Sequence, residues 1–156
     1  MLHVEATAPM DASADDVYRM IADYRSGHPR IVPPKYFRNL RVVDGGYGDG
    51  TVIEFDVLAL GKTVPLRATV AEPEPGRVLA ETNVGDGSVT RFIVEPSSDS
   101  TSRVTIATDR PLEHAGVLGW IERVMTRLLL RRIYVEELAR LAEQLRLDAR
   151  ERTPAR

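Results

Sequence analysis

Arg131 is the residue whose type and position most directly suggest binding chemistry. It lies in a long helical pattern near the C-terminus, where successive residues turn by about 100°. With Val117 at zero, Trp120, Val124 and Leu128 fall on one apolar side of this helix, and Arg131, at about 320°, falls inside the same arc. A guanidinium on an apolar face needs an anionic or carbonyl partner, because burial of an unpaired charge is costly.

Two interpretations of Arg131 remain open. In the first, its side chain reaches into a cavity and holds a carboxylate, a phenolate or a carbonyl oxygen of a small ligand. In the second, it forms a structural ion pair within the chain or extends its charged end into solvent. The carboxylates that could pair with it are Glu54, Asp56, Glu81 and Glu95.

A second group of candidate residues surrounds His28, in a segment rich in proline. Tyr24, Tyr36 and Phe37 flank this histidine, which could act at a cavity mouth as an acid–base group or a hydrogen-bond donor. The alternative is a rigid loop whose aromatic side chains pack together and cover the core. Phe55 is a further candidate, because the alternation in residues 53–59 puts it on the apolar side of a strand.

Other reaction types find no support in the sequence. The chain has no cysteine, and its histidines, His3, His28 and His114, lack the spacing of a metal site. No serine lies in a Gly-x-Ser-x-Gly pattern. The glycine-rich residues 45–50 are followed by neither a Lys-Ser/Thr pair nor a helix, so tight turns with positive φ are a better interpretation than a phosphate loop. We therefore expect no metal and no cofactor.

The composition is typical of one globular domain. The 156 residues are 43% hydrophobic and 28% charged, which allows a core without disulfides. The net charge of −2 argues against nucleic acid as a partner. We find no apolar run long enough to span a membrane and no leader, so we expect a cytoplasmic protein. Lysine occurs only at positions 35 and 62, and this excess of arginine indicates a bacterial genome rich in G and C.

Alternation and turn signals predict seven strands, the first at residues 2–8 and six more in an antiparallel meander between residues 40 and 108. A short helix at about residues 14–24 begins at Ser13, which resembles an N-cap. A long helix follows Pro111 and continues to about Leu147. We expect a single domain over residues 1–147 and a flexible tail over residues 148–156.

The long helix also carries apolar residues outside the predicted inward face. Leu129 and Ile133 fall at about 120° and 160° on the same wheel. Either the chain itself covers the helix on two sides, or a second copy buries the other side in a homodimer. Binding to a membrane surface is a competing interpretation, because Arg127, Arg131 and Arg132 surround the apolar cluster, although the helix also carries glutamates.

The order of elements resembles the Bet v 1-like superfamily, also called START-like or SRPBCC, over residues 2–147. Residues 4–6, Pro9 and residues 15–18 are similar to the polyketide cyclase/dehydrase-type branch, where a tryptophan commonly replaces Tyr18. The loop at residues 45–51 is similar to the glycine-rich loop of the plant members. The resemblance implies an α+β helix-grip fold: a seven-stranded curved antiparallel sheet wraps a long C-terminal helix, short helices lie between strands 1 and 2, and an apolar cavity remains.

We therefore predict that the chain binds a hydrophobic or aromatic small molecule, lipids included, in a cavity between the sheet and the long helix. The predicted ligand-binding residues are Tyr24, His28, Tyr36, Phe37, Phe55, Trp120, Val124, Leu128 and Arg131. The resemblance implies an alternative, an enzyme of the polyketide cyclase, aromatase or dehydratase kind without metal or nucleotide, in which Arg131 polarises a carbonyl, Tyr36 donates a proton and His28 shuttles one. A protein-interaction module that uses its outer surface is a third alternative.

Overall fold

The computed structural model describes residues 1–153, which form seven strands and three helices. The strands are β1 (Leu2–Met10), β2 (Phe37–Asp44), β3 (Val52–Ala59), β4 (Lys62–Glu74), β5 (Val78–Asn83), β6 (Val89–Pro96) and β7 (Ser102–Arg110). The helices are α1 (Ala14–Ala22), α2 (His28–Ile31) and α3 (Gly116–Arg152). The predicted α+β helix-grip fold, with its antiparallel sheet and long C-terminal helix, is confirmed.

The seven strands form one sheet in the order β1-β7-β6-β5-β4-β3-β2, and every neighbouring pair is antiparallel. β1 and β2, which are consecutive in the sequence, therefore lie at opposite edges of the sheet. β1 is an edge strand and continues through Pro9 to Met10, two residues beyond the predicted end. An edge strand tolerates proline because one side of its backbone has no ladder bond to lose.

A bulge in β2 bends the far edge of the sheet. The register between β2 and β3 shifts between Arg38 and Arg41. Asn39, inside the shift, has a φ of 57°, and its Nδ2 donates to Asp56 Oδ2 at 2.8 Å. Asparagine tolerates this left-handed conformation better than most residues, and bulges increase strand bending and twist. The bulge therefore helps β2 to curve.

The short helices between β1 and β2 cover one end of the sheet. The Oγ of Ser13 accepts from the N–H of Asp16 at 3.2 Å, as the capping pattern predicted. Val17 and Ile21 then bury their side chains completely. The proline-rich segment contains the four-residue α2, with Pro29 in its first turn. Proline suits this position because its fixed φ is helical and its missing N–H would have no partner there.

The second half of α3 packs against the body of the protein. Its buried residues are Ile133, Tyr134, Glu137, Leu138, Leu141 and Leu145, and α3 lies mainly on β1 and α2. Near its end, Arg30 Nη2 in α2 lies 2.5 Å from Asp148 Oδ1. The prediction of a flexible tail is therefore wrong for residues 148–152, which are helical. Residues 154–156 of that predicted tail lie outside the described part of the chain.

The first half of α3 is turned the other way from our prediction. Trp120 and Leu128, predicted to face inward, are 64% and 61% exposed, whereas Ile133, predicted to point away, is 2% exposed. The buried residues of the second half span about 160° to 300° on the wheel, so the centre of this span lies about 130° from the apolar arc near 0°. The buried side includes Tyr134 and Glu137, so counting apolar residues selects the wrong face.

Candidate functional site

The inner side of the sheet is incompletely covered over β2, β3 and β4. Phe55 pairs with Leu66, and Val57 pairs with Val64 and Phe37, so these side chains share the face of the sheet that holds the core. Most are only partly buried, and Val64 is 46% exposed. We call this surface the trough; it is formed by Phe37, Phe55, Val57, Val64 and Leu66. It offers an apolar wall with two aromatic rings whose centroids lie 5.9 Å apart.

Glu81 lies on the same face near the centre of the sheet. It pairs with Val70 of β4 and with Thr90 of β6, and Thr90 pairs in turn with Thr108 of β7. Val70 is 4% exposed, which shows that this row faces the core. A carboxylate and two hydroxyls on an apolar face require hydrogen-bond partners, because unpaired polar groups are costly to bury.

Tyr24 and His28 converge on one carboxylate oxygen of Glu81. The Tyr24 hydroxyl donates to Glu81 Oε1 at 2.6 Å, and His28 Nε2 lies 3.5 Å from the same atom. The rings of Tyr24 and His28 are stacked, with centroids 4.4 Å apart. Burial, followed by the charge of Glu81, raises the pKa of Tyr24 well above its usual value, so this phenol remains a donor at neutral pH.

The backbone fixes which nitrogen of His28 can exchange a proton. Nδ1 lies 2.7 Å from the carbonyl oxygen of Ile21. A carbonyl oxygen only accepts hydrogen bonds, so Nδ1 must carry a proton. Nε2, the nitrogen that can gain or lose one, then faces Glu81. The Glu81 side chain is 15% exposed against 3% for His28, so it connects this pair to solvent-accessible space.

Tyr134 and Glu137 of α3 lie beside these residues. We call the whole group the polar cluster; it consists of Tyr24, His28, Glu81, Thr90, Thr108, Tyr134 and Glu137. The Tyr134 and Thr108 hydroxyls share a hydrogen bond, and Thr108 Oγ1 lies 2.7 Å from Thr90 Oγ1. Burial raises the pKa of Tyr134 to about 12. Burial, followed by the charge of Glu81, raises the pKa of Glu137 well above its usual value. The cluster therefore combines a buried carboxyl group, Glu137, with a partly exposed one, Glu81.

The glycine loop positions Tyr24. The N–H of Tyr24 donates to the Gly46 carbonyl at 2.9 Å, and the N–H of Gly48 donates to the Ala22 carbonyl at 3.0 Å. Gly46 has a φ of 136°, and a Cβ there would lie 2.3 Å from Arg25 Nε. The predicted tight turns with positive φ are confirmed. Their structural role is to hold the segment that carries Tyr24 against the sheet.

A recess of about 370 Å³ lies between the end of β7 and the start of α3. Its lining residues are Arg110, Glu113, His114, Leu118, Ile121, Glu122 and Thr126. Arg110 pairs with Leu2, which is fully buried, so the Arg110 side chain projects from the inner face of the sheet. Its Nε is buried without a hydrogen-bond partner in the described part of the chain. This arginine therefore offers a free donor in the recess, on the same face of the sheet as the trough.

Glu113, His114 and Glu122 lie close enough to hold a metal ion, with ligand atoms within 4.8 Å of one another. The Glu122 carboxylate, however, already accepts from the backbone N–H groups of Glu113 and His114, each at 3.0 Å. These amides lower the pKa of Glu122. The arrangement fastens the loop before α3 to the helix, and surface carboxylates with such partners do not by themselves indicate a metal.

A second recess, of about 460 Å³, lies over β2–β4. Glu54 contributes to it and pairs with Arg41 and with Arg67, whose Nη1 lies 3.3 Å from Glu54 Oε1. These charged residues alternate with the trough residues and therefore occupy the outer side of the sheet. Mutually paired surface charges leave few free groups for a ligand.

The structure brings together only some of the predicted ligand-binding residues. Tyr24 and His28 belong to the polar cluster, Phe37 and Phe55 to the trough, and Tyr36 is partly buried beside Phe37. Four predicted residues lie instead on exposed parts of α3: Trp120, Val124, Leu128 and Arg131. For these four, the expected inward orientation is wrong.

Sequence reasoning missed Glu81, Arg110, Tyr134 and Glu137 as site residues. A signal existed for Glu81, because it follows the apolar Leu79 at the spacing that keeps two residues on one face of a strand. Tyr134 and Glu137 likewise share a face with Leu138 and Leu141 at helical spacing. The same spacing places Arg110 on the face of Ile106 and Thr108, but its free donor depends on distant elements.

None of the helices among residues 1–153 is both long and apolar enough to cross a bilayer. A family model described as "Polyketide cyclase / dehydrase and lipid transport" matches residues 1–146. A search of curated proteins gives no match.

Solved structures show the same fold over nearly the whole chain. The KanY protein, solved in solution by NMR, is 25% identical with a TM-score of 0.80, covering 93% of this chain and 97% of its own. TTHA0849 from Thermus thermophilus is 21% identical with a TM-score of 0.75, covering 94% and 98%. The Zhui aromatase/cyclase from Streptomyces sp. R1128 is 20% identical with a TM-score of 0.72, covering 92% and 93%.

Proposed function

This chain belongs to the polyketide cyclase / dehydrase and lipid transport family, and on that premise we propose that it binds a hydrophobic or aromatic small molecule in the trough. The observation that carries the proposal is the partly exposed aromatic wall of Phe37 and Phe55, on the same face of the sheet as the polar cluster, in which Glu81 is 15% exposed. Small-ligand sites commonly combine apolar walls with a few polar groups that fix orientation.

Arg110 gives the proposed ligand a polar end. Its nearest carboxylate is Asp86, at 3.8 Å, which is a weak contact, and its buried Nε has no hydrogen-bond partner among the described residues. A carboxylate, phenolate or carbonyl oxygen of the ligand would satisfy this donor. The role that the sequence suggested for Arg131 therefore passes to Arg110, while Arg131 is exposed.

Two measurements test ligand binding. Native mass spectrometry of freshly isolated protein should detect a co-purified small molecule. Calorimetric titration with naphthalene-2-carboxylate, an aromatic anion, should give an affinity that Arg110→Gln lowers about tenfold or more, since a charge-assisted hydrogen bond is lost. The matched variant Arg131→Gln should bind as the wild type does. Weaker binding by Arg131→Gln with unchanged binding by Arg110→Gln would contradict the proposed position.

A second candidate function is an enzyme of the polyketide cyclase kind, and one observation favours it. Tyr24 and His28 converge on Glu81 Oε1, and Glu81 is the partly exposed member of this group. Such a group could remove a proton from a carbon next to a ligand carbonyl. The electron pair would move to the carbonyl oxygen and return when the carbon is protonated again, so the acid–base group ends as it began.

Hydrogen exchange tests this activity without knowledge of the natural substrate. In D₂O, the protein should accelerate the replacement of hydrogen by deuterium next to the carbonyl of 2-tetralone, followed by NMR. Glu81→Gln should reduce that acceleration at least about a hundredfold, the usual scale of a lost acid–base group. Glu54→Gln, on the outer side of the sheet, is the matched control. Equal rates for the wild type and Glu81→Gln would remove the enzyme candidate and leave ligand binding intact.

A further inference from the structure

The exposed side of α3 carries an unusual amount of apolar surface. Its first half leaves large side chains in solvent, and Val135 continues the same line into the second half. We call this surface the outer face of α3; it consists of Val117, Trp120, Ile121, Val124, Met125, Leu128 and Val135, which are between 37% and 76% exposed. Monomeric proteins seldom expose so many contiguous apolar side chains without a partner.

The outer face is also positively charged. Residues 116–132 contain four arginines, Arg123, Arg127, Arg131 and Arg132, and a single acidic residue, Glu122. Salt bridges among residues 1–153 include none of these arginines. Glu122 is held by the loop before α3. The chain as a whole has a net charge of −2, so this basic segment is a local feature.

We propose that the outer face of α3 binds the surface of an anionic lipid membrane. An interfacial helix combines an apolar side with arginines, whose long stems lie along apolar surface while their charged ends reach the phosphates. Trp120, 64% exposed, has the amphipathic ring that prefers the membrane interface. A helix face is convex, and a fluid lipid surface can follow it without a preformed groove.

Charge complementarity favours lipid over a second copy of the chain. Pairing two outer faces would bring like charges together, because Arg131 and Arg132 fall within each face and Arg127 lies at its edge, and the single carboxylate of residues 116–132 is already engaged. Negatively charged headgroups provide the opposite charge over a broad surface. Each arginine near such a surface increases the membrane affinity about fivefold. This inference uses the opposite side of α3 from the polar cluster and does not depend on the proposed ligand or reaction.

Trp120 is the only tryptophan of the chain, so it reports on its own surface. Vesicles of phosphatidylglycerol and phosphatidylcholine in equal parts should shift its fluorescence to shorter wavelength and increase its intensity. Vesicles of phosphatidylcholine alone should do so much less. High salt should weaken the binding, because it screens the charges of exposed arginines.

Two variants separate the contributions of charge and apolar surface. The double variant Arg127→Gln/Arg131→Gln should reduce partition into anionic vesicles about 30-fold. The double variant Val124→Ser/Leu128→Ser should reduce it about tenfold. Leu60→Ser, which changes an exposed apolar residue in the β3–β4 turn, is the matched control. All three variants should keep the wild-type melting temperature, because the changed residues are exposed.

Three outcomes would overturn the proposal. The first is unchanged Trp120 emission with both kinds of vesicle. The second is a spectral shift without lipid that grows with protein concentration, which would assign the face to self-association. The third is equal loss of partition by Leu60→Ser and by the α3 variants, which would place the membrane contact elsewhere.

Discussion

The two halves of α3 differ in what their apolar residues do. In residues 133–152, Leu141 and Leu145 are buried against the body, and the polar Tyr134 and Glu137 are buried beside them. In residues 116–132, Trp120 and Leu128 are mostly exposed although their side chains are larger than or similar to those of the buried half. One continuous helix thus carries two kinds of surface: a face buried against β1 and α2 in the second half, and a mostly exposed apolar face in the first.

This difference teaches that hydrophobicity alone does not orient a long helix. The buried half includes hydroxyl and carboxyl groups because it contributes them to the polar cluster, through Tyr134 and Thr108. The exposed half has the purer apolar stripe, interspersed with arginines. A buried face that supports a site is less apolar than one that only packs, whereas an exposed apolar stripe indicates an external partner.

The largest effect should come from shortening a side chain in the buried half. Leu141→Ala should lower the free energy of unfolding by about 2–5 kcal/mol, because it leaves a cavity at a residue that is 1% exposed. Leu128→Ala, in the exposed half, should change it by less than about 0.5 kcal/mol. Urea unfolding followed by circular dichroism measures both. Equal losses would show that the first half of α3 is packed in solution.

The carboxyl group of Glu137 should make stability depend on pH. Its folded pKa is raised by burial and by the charge of Glu81. The contribution of Glu137 to the free energy of unfolding is therefore complete below the unfolded pKa of about 4.5. It is lost as the pH rises towards the folded pKa, and the free energy of unfolding then falls by up to about 1.4 kcal/mol per pH unit.

Glu137→Gln should remove that slope and become more stable relative to the wild type as the pH rises above the usual glutamate range. Tyr24, His28, Glu81 and Tyr134 also face this region and remain in both proteins. Glu143→Gln, on the exposed side of the same half, should leave the slope unchanged. Melting temperatures across the pH range measure both variants, and parallel curves for Glu137→Gln and the wild type would refute the assignment.

Removing one hydroxyl from the buried half should have a moderate effect. Tyr134→Phe loses the hydrogen bond with Thr108, but Thr108 keeps its contact with Thr90 at 2.7 Å. The free energy of unfolding should therefore fall by only about 1 kcal/mol. Tyr47→Phe, at a tyrosine that is 55% exposed, serves as the control and should be neutral. A loss above about 3 kcal/mol would mean that the polar cluster collapses as a unit.

The smallest effect should come from an arginine of the exposed half. Arg131→Leu should change the melting temperature very little, because Arg131 is exposed and forms no salt bridge within residues 1–153. Arg30→Leu should cost about 1 kcal/mol, since Arg30 bonds to Gln144 and Asp148 at the end of α3. A larger loss of stability for Arg131→Leu than for Arg30→Leu would support the other interpretation of Arg131, a structural ion pair within the chain.

The sequence by itself determined the elements of this protein. The alternation from Ile53 to Ala59 and the helical spacing of Val17 and Ile21 are local patterns, and local hydrogen bonding and burial give them one structure. The order of those elements was enough to indicate the helix-grip fold. Tyr24 and His28 were also predicted to lie near one another, because they are close in the chain, and the structure places both of them beside Glu81.

Only the tertiary structure decided which face of α3 is buried, and therefore which of its polar residues join the polar cluster. Glu81 and Glu137 are 56 positions apart in the sequence, and no local pattern predicts that the charge of Glu81 affects the pKa of Glu137. Trp120, Val124, Leu128 and Arg131 were assigned to the wrong side because a helical wheel gives the relative directions of residues but not the direction of the sheet. That direction is set by non-local contacts of α3 with β1 and α2, which become favourable only when the whole domain packs.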